Sequence, residues 1–145
     1  MGFEFAETMS GTFEMDKAPG TKHPLRFDIQ VHAPSTREHM KTGRARVTGV
    51  VHAPPLADSA DAEGTIIIRP LGQRIIRYEL SFLADDGKRY ELVGQKDIQL
   101  RRLLHTWTHL PMEILDEDHR RVATCLTRFD YQKDWWSFLR SFRPA

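Results

Sequence analysis

The chain has 145 residues, of which 40% are hydrophobic and 28% are charged, as is typical of one globular domain. Its 21 Lys and Arg residues nearly balance its 20 Asp and Glu residues, which leaves a formal net charge of +1. Such an even balance predicts no broad basic surface and therefore no nucleic-acid partner.

Alternation of apolar and polar residues predicts eight strands. In chain order they span residues 3–15, 25–31, 43–52 and 64–69, then two strands within 74–96, and finally 104–115 and 121–129. A loop is predicted at 54–61. A capping box of Ser35 and Glu38 predicts one or two helical turns at 35–41.

A different period follows Asp130 at the end of the chain. Trp135, Leu139 and Phe142 are spaced as on one face of a helix, which predicts a C-terminal helix at about 131–142. Its aromatic face is expected to close one end of the fold. The alternative is an apolar surface that binds a partner or a hydrophobic ligand.

Strands five and six form a predicted hairpin around Asp85-Asp86-Gly87. A two-residue turn would put the apolar residues of the two strands on opposite faces. Since the buried face sets the register, we predict a three-residue loop with Gly87 in the left-handed conformation. The resulting pairs are Phe82 with Tyr90, Leu80 with Leu92, Tyr78 with Gly94 and Ile76 with Lys96.

Consecutive strands with short links and no βαβ period predict an all-β antiparallel meander. Closure removes the edges of such a meander, and about eight strands leave room for side chains or one small ligand. We therefore predict one domain over residues 1–145, an up-and-down, lipocalin- or calycin-like barrel with a C-terminal helix. An open sheet wrapped around that helix is the alternative.

Signals of export and membrane insertion are missing from the sequence. The single Cys125 allows no internal disulfide and fits a reducing compartment. The start, MGFEFAETMSG, lacks the basic segment and apolar run of a signal peptide, and no window approaches about 18 consecutive apolar residues. We expect a cytoplasmic protein with no membrane span.

Two charged residues fall on predicted inward faces. Glu7 is in phase with Met9, and Lys96 is in phase with Leu92. A charge inside a barrel is costly unless it is paired, so these two side chains could meet there. The pair could anchor a ligand, act as an acid and base, or form a structural ion pair, and Lys96 could instead reach water at the strand end.

Other reactive side chains form no recognisable motif. Of the seven histidines, His105 and His109 lie about 13 Å apart along a strand, too far to share a metal. No HExxH, Cys/His cluster or G-x-S-x-G is present, and Cys125 is expected to be a small core residue. We predict no metal site, no cofactor and no catalytic residue.

Several ordered motifs resemble a small accessory domain found on bacterial glucose–methanol–choline flavoenzymes of the cholesterol-oxidase-like type, and sometimes on α/β-hydrolase-like chains. The motifs are F-x-E-T-M-x-G near the start, RYELSFLADDG, GQK, T-x-L and a terminal SFR. The matching positions are Glu7, Met9, Gly11, Gly49, Gly64, Tyr78, Gly87, Gly94, Lys96, Thr108, Leu110 and Phe142. The resemblance implies a lipocalin-like barrel that works beside sterol- or lipid-handling enzymes, with no established activity of its own. Here the domain is expected to stand alone, and the chain has no flavin-binding G-x-G-x-x-G, so oxidoreductase activity is not expected.

Three functional hypotheses follow. The first is a barrel that binds a small hydrophobic ligand, such as a lipid or sterol-like molecule, through Glu7, Tyr78, Leu80, Phe82, Tyr90, Leu92, Lys96 and Thr108. The second is an interaction or accessory module for a lipid-active enzyme. The third, a small isomerase or hydrolase using Lys96 and Glu7, is less favoured. The sequence does not predict the oligomeric state.

Overall fold

The computed structural model describes residues 3–33, 43–69, 75–97, 109–128 and 143–144. The described strands are β1 (Phe3–Met15), β2 (Lys22–Ala33), β3 (Arg44–Ala53), β4 (Ala57–Arg69), β5 (Ile75–Leu83), β6 (Arg89–Asp97), β7 (His109–Leu115), β8 (Arg121–Arg128) and β9 (Arg143–Pro144). Strands β1 to β8 pair antiparallel in chain order, and β1 also pairs with β8. The sheet is therefore a closed, eight-stranded, up-and-down barrel. The short β9 pairs with the start of β1.

The predicted antiparallel barrel is confirmed by this closed pairing. Helices predicted at 35–41 and at about 131–142 lie outside the described residues. The first part of predicted strand seven, 104–108, also lies outside them, and β7 is described from His109 onward.

The fourth strand is longer than predicted. The predicted loop at 54–61 is wrong from Ala57 onward, where β4 begins. Val51 pairs with Ala60 and Ala53 with Ala57, with a register shift between these pairs. Alanine and aspartate have low intrinsic strand preference, so pairing with β3 and burial of the alanines form this part of the strand.

The predicted register of the β5–β6 hairpin is confirmed at all the predicted pairs. The Ala84 N–H donates to the Lys88 carbonyl over 2.9 Å, which leaves a three-residue loop. Gly87 has φ 82°, as predicted for the left-handed position, and its N–H donates to the Ala84 carbonyl over 3.0 Å. A type I turn followed by a left-handed glycine fits the twist of the two strands.

The described turns all lie at one end of the barrel. We call the end with the turns at 16–21, 54–56, 84–88 and 116–120 the upper end. There the Asp85 N–H donates to the Leu56 carbonyl over 3.0 Å, and the Asp58 N–H donates to Asp85 Oδ2 over 3.1 Å. These bonds tie two upper turns together. The connecting segments at the opposite, lower end are 34–42, 70–74, 98–108 and 129–142, and they lie outside the described residues.

Apolar side chains fill the described interior of the barrel. One core cluster draws on every strand from β1 to β8. Its largest fully buried members include Phe13, Phe27, Phe82, Met9 and Leu25. Small buried alanines on β3, β4 and β8 lie among these large side chains.

Three inward-facing glycines, Gly11, Gly49 and Gly64, lie where neighbouring strands approach closely. A Cβ at Gly11 would overlap the carbonyl oxygen of Leu126 on β8, and a Cβ at Gly64 would overlap that of Glu79 on β5. Any larger residue there would push the two strands apart. Gly11 thus permits the close approach through which β1 closes the barrel onto β8.

Candidate functional site

Glu7 and Tyr78 meet inside the barrel although 71 positions separate them in the chain. The Tyr78 hydroxyl lies 2.9 Å from Glu7 Oε1 and 3.2 Å from Glu7 Oε2. Glu7 is on β1 and Tyr78 is on β5, which are four strands apart in either direction around the barrel. The hydrogen bond therefore spans the interior, and we call it the Glu7–Tyr78 bridge.

Packing on three sides directs the Tyr78 ring across the barrel. Tyr78 pairs with Ile66 on β4 and with Gly94 on β6. The side chain of Met112 fills the space at Gly94, since a Cβ there would lie only 2.7 Å from Met112 Cγ. The Phe27 ring meets Tyr78 edge-on, with centroids 6.3 Å apart. Such contacts fix the direction in which the hydroxyl points.

Tyr78 is the proton donor of the bridge. Burial raises the pKa of Tyr78 well above its ordinary value of 10.0, and the charge of Glu7 and the hydrogen bond to it raise this pKa further. A phenolate here would set two negative charges together in an apolar setting. Tyr78 is therefore a neutral phenol at physiological pH, and its single proton is directed at Glu7.

The two members of the bridge differ in access to water. Tyr78 is 2% exposed, whereas Glu7 is half-buried. Glu7 belongs to the inward face of β1, in phase with the buried Met9 and Phe13. The carboxylate is thus the part of the bridge that a small molecule could reach.

The other predicted contacts on the hairpin are packed core residues or lie near the upper end. Leu80, Phe82 and Leu92 are each 0% exposed. A side chain beside an empty space of ligand size would expose part of its surface to water, so no such space adjoins these three. Tyr90 is half-buried, and its hydroxyl donates to Asp86 Oδ2 over 2.9 Å in the hairpin loop.

Two predicted site residues are described in part or not at all. Lys96 pairs with Ile76 through its backbone, but its side chain lies outside what the structure describes. Thr108 lies outside the described residues altogether. The contact between Lys96 and Glu7 therefore stays a prediction.

Sequence reasoning placed Glu7 and Tyr78 in one site but did not recognise that they bond to each other. The available signal was the strand order, because the first and fifth strands of an eight-stranded meander lie on opposite sides of the closed barrel. A long polar-tipped side chain on one of them can reach a carboxylate on the other.

Two open depressions lie at the upper end, away from the bridge. The larger measures about 500 Å³ and is lined by residues that include Ser81, Leu83, Arg89, Glu117 and His119. The smaller measures about 240 Å³ and is lined by Phe13, Met15, Pro55, Leu56 and Asp86. Neither is lined by Glu7 or Tyr78.

Cys125 is the cysteine of the chain, and it is buried on β8. Burial and the charge of Glu113 raise the pKa of Cys125 from 9.0 to about 12, so that the side chain is a thiol and not the nucleophilic thiolate. In the described part of the chain, no group of three His, Cys, Asp or Glu side chains could hold a metal ion.

Among the described residues, two large apolar side chains are exposed. Leu83 is 52% exposed on β5, and Leu126 is 57% exposed on β8. These strands are not neighbours in the sheet, so the two leucines do not form one patch. No helix within the described ranges is long and apolar enough to cross a membrane.

Comparisons with known proteins give a likeness to solved structures alone. No family model matches the chain, and no curated protein matches it. Among solved structures, the chain is similar to a redesigned beta barrel, with a TM-score of 0.48 and 8% sequence identity over 84% of this chain and 88% of that chain. The fold is therefore defined by the strand pairing itself, and the site by its own geometry.

Proposed function

We propose that this chain binds a small, largely apolar ligand whose polar group contacts the Glu7–Tyr78 bridge. The supporting observation is a half-buried carboxylate that bonds across the interior of an apolar barrel. A buried polar pair is often no more stabilising than apolar side chains of the same shape. Ionisable groups inside an apolar fold are therefore candidates for function.

Apolar side chains around the bridge would supply the rest of the binding surface. Ile66 pairs with Tyr78, and Ile76 precedes Tyr78 on the same inward face. Both are at most 3% exposed, as are Leu80 and Leu92 beyond them. A ligand of appreciable size must displace some of these side chains, so binding is coupled to a change in the barrel.

Native mass spectrometry of protein purified from cells tests this proposal. The wild-type chain should carry an added mass that organic extraction releases and identifies. Glu7→Gln should retain less of this ligand, because the hydrogen bond between residue 7 and the ligand's polar group is no longer charge-assisted.

Two control variants locate the ligand. Glu4→Gln removes the same charge from β1 at a position whose Oε2 lies 3.4 Å from His32 Nδ1 on the outer face, and it should retain the ligand as the wild type does. Leu56→Ala alters the smaller upper depression and should also retain it. Equal retention in Glu7→Gln, or loss only in Leu56→Ala, would show that the bridge is not the binding site.

The remaining sequence hypotheses have less support. Leu83 and Leu126 form no common patch for a partner, and the predicted aromatic helix lies outside the described residues. A small isomerase or hydrolase would need Lys96 beside Glu7, and only one of these side chains is described. Ligand binding is the hypothesis for which a described contact supplies the polar group.

A further inference from the structure

We propose that the larger depression at the upper end of the barrel binds an arginine side chain of a partner protein. This depression measures about 500 Å³ and lies between the β5–β6 loop and the β7–β8 turn, and both connections contribute to its lining. It shares no residue with the Glu7–Tyr78 bridge. The proposal is therefore independent of the binding function proposed for the interior.

An apolar wall gives the depression a surface for the stem of a long side chain. Leu83, the last residue of β5, is 52% exposed and lines the depression together with Tyr90. Phe82 stacks against Tyr90 with ring centroids 6.1 Å apart, and the Tyr90 hydroxyl donates to Asp86 over 2.9 Å. These two contacts hold the tyrosine ring in place. An aliphatic stem that covered Leu83 would remove apolar surface from water.

The charges of the lining favour a cation. Three carboxylates and one guanidinium line the depression, which gives a net charge of −2 with His119 neutral, and they belong to Glu91, Asp116, Glu117 and Arg89. Burial raises the pKa of Tyr90, and the hydrogen bond to Asp86 and the charges of Asp86, Asp116 and Glu117 raise it further. Carboxylates from both connections thus act on the ring that forms part of the apolar wall.

The carboxylates of the β7–β8 turn accept hydrogen bonds only from neutral backbone groups. Asp116 Oδ1 accepts the N–H groups of Asp118 and Arg120, each over 2.9 Å. Glu117 Oε1 accepts the Arg89 N–H over 3.1 Å. Such bonds hold the two side chains in position but leave their negative charges in place.

The remaining charged groups of the lining are also not neutralised. Glu91 Oε2 lies 3.5 Å from Nδ1 of His119, which carries a charge only when it is protonated. Arg89 Nη1 donates to the Ser81 hydroxyl oxygen over 3.3 Å. Among the described residues, no lysine or arginine forms an ion pair with a carboxylate of this depression. A cation from outside the chain would therefore complement it.

Arginine suits this combination of surfaces better than lysine does. Its planar guanidinium stacks on aromatic rings and carries five N–H donors, so that it can contact Tyr90 and carboxylates of both β6 and the β7–β8 turn at once. The ammonium group of lysine is compact and strongly hydrated. Because the depression is open to solvent, a side chain that projects from another protein can enter it without a change in the barrel.

Tripeptides that differ only in their central residue test the proposal by ¹H–¹⁵N NMR of the full chain. Acetyl-Leu-Arg-Leu-amide should shift the amide signals of Leu83, Tyr90 and His119, and the titration gives its affinity. The same peptide with citrulline, which has nearly the shape of arginine but no charge, should bind roughly fivefold more weakly. The lysine peptide should bind roughly threefold more weakly than the arginine peptide.

Three variants assign the binding to this depression. Glu91→Gln removes one carboxylate, and it should weaken the arginine peptide roughly twofold to threefold while leaving the citrulline peptide unchanged. Leu83→Ser reduces the apolar wall and should weaken both peptides alike. Glu4→Gln removes the same charge from β1, outside the depression, and both peptides should bind it as they bind the wild type.

Four results would overturn the proposal. The first is equal affinity of the arginine and citrulline peptides, and the second is a set of shifted signals that excludes the depression. Equal binding of the lysine peptide would mean that the depression selects charge alone. If ethylguanidinium binds as tightly as the arginine peptide, the flanking chain contributes nothing and the site is one for a small cation.

Discussion

Tyr78 gives this apolar barrel a polar centre. The aromatic ring packs against Phe27 as a phenylalanine would, and the hydroxyl alone reaches Glu7 across the interior. The bond joins opposite walls, so that one oxygen atom couples β1 to β5. Its contribution to stability can be separated from that of the ring by removing only this atom.

The bridge should contribute more to the free energy of unfolding than an exposed hydrogen bond between the same two kinds of group. Tyr78→Phe is expected to lower the free energy of unfolding by about 1.5–3 kcal/mol, the usual range for a hydrogen bond to a charged group. Tyr90→Phe is the matched control, since the Tyr90 hydroxyl bonds to Asp86 at an exposed loop. It should change that free energy by less than about 0.5 kcal/mol. Urea unfolding at neutral pH measures both, and equal effects would mean that the bridge adds nothing to the fold.

Cys125 should make stability depend on pH in the alkaline range. Because the pKa of Cys125 rises from 9.0 to about 12 on folding, the folded state favours the protonated thiol. This contribution is complete below about pH 9 and is lost as the pH rises toward the folded-state pKa. The wild type should therefore lose about 1.4 kcal/mol more than Cys125→Ala between about pH 8 and pH 10. Unfolding curves at the two pH values measure the difference, and parallel losses would contradict a buried thiol.

At the scale of elements, the β5–β6 and β7–β8 turns have the same hydrogen-bond pattern but different residues at the left-handed position. In the β7–β8 turn the Asp116 N–H donates to the Arg120 carbonyl over 2.9 Å, and the His119 N–H donates to the Asp116 carbonyl over 3.0 Å. This repeats the β5–β6 pattern, with His119 at φ 60° where that turn has Gly87. A residue with a Cβ is strained in this conformation, and glycine is not.

Exchanging residue types at these equivalent positions should shift stability in opposite directions. Gly87→Ala is expected to lower the free energy of unfolding by about 1 kcal/mol, because alanine acquires left-handed strain. His119→Gly should raise the free energy of unfolding by about 0.5 kcal/mol. The strain that is relieved is larger than the extra cost of ordering the more flexible glycine backbone. The contact of His119 with Glu91 contributes little, because His119 is 79% exposed. Thermal melts of the two variants test this, and a loss of stability in His119→Gly would exclude strain in the turn.

The parts of the fold that were predicted are those that local pattern determines. The in-phase apolar residues Phe82 and Tyr90, with a glycine at the turn, specified the register of β5 and β6. The start of β4 was missed because Ala57 and Ala60 form a strand only through pairing with β3. The bridge was missed for a related reason. Periodicity shows that Glu7 faces inward, but only the closed barrel shows what lies opposite.

Across the whole molecule, the pairing of β1 with both β2 and β8 closes the barrel. Among described residues, β1 pairs with β2 from Phe3 to Glu14 and with β8 from Ser10 to Met15. The Glu7–Tyr78 bridge joins β1 to the opposite wall, so that β1 contacts three other strands of the barrel.

An interior this full gives a kinetic prediction for ligand binding. Since the side chains beyond the bridge have almost no exposed surface, the ligand must wait for a rare open state, and opening limits the rate. In stopped-flow mixing with N-phenylnaphthylamine, the observed rate constant should level off as the probe concentration rises. Low urea, well below the unfolding transition, should raise this plateau by favouring the open state, and Glu4→Gln should leave it unchanged. A rate constant that grows in proportion to probe concentration without a plateau would mean that the site is open before the ligand arrives.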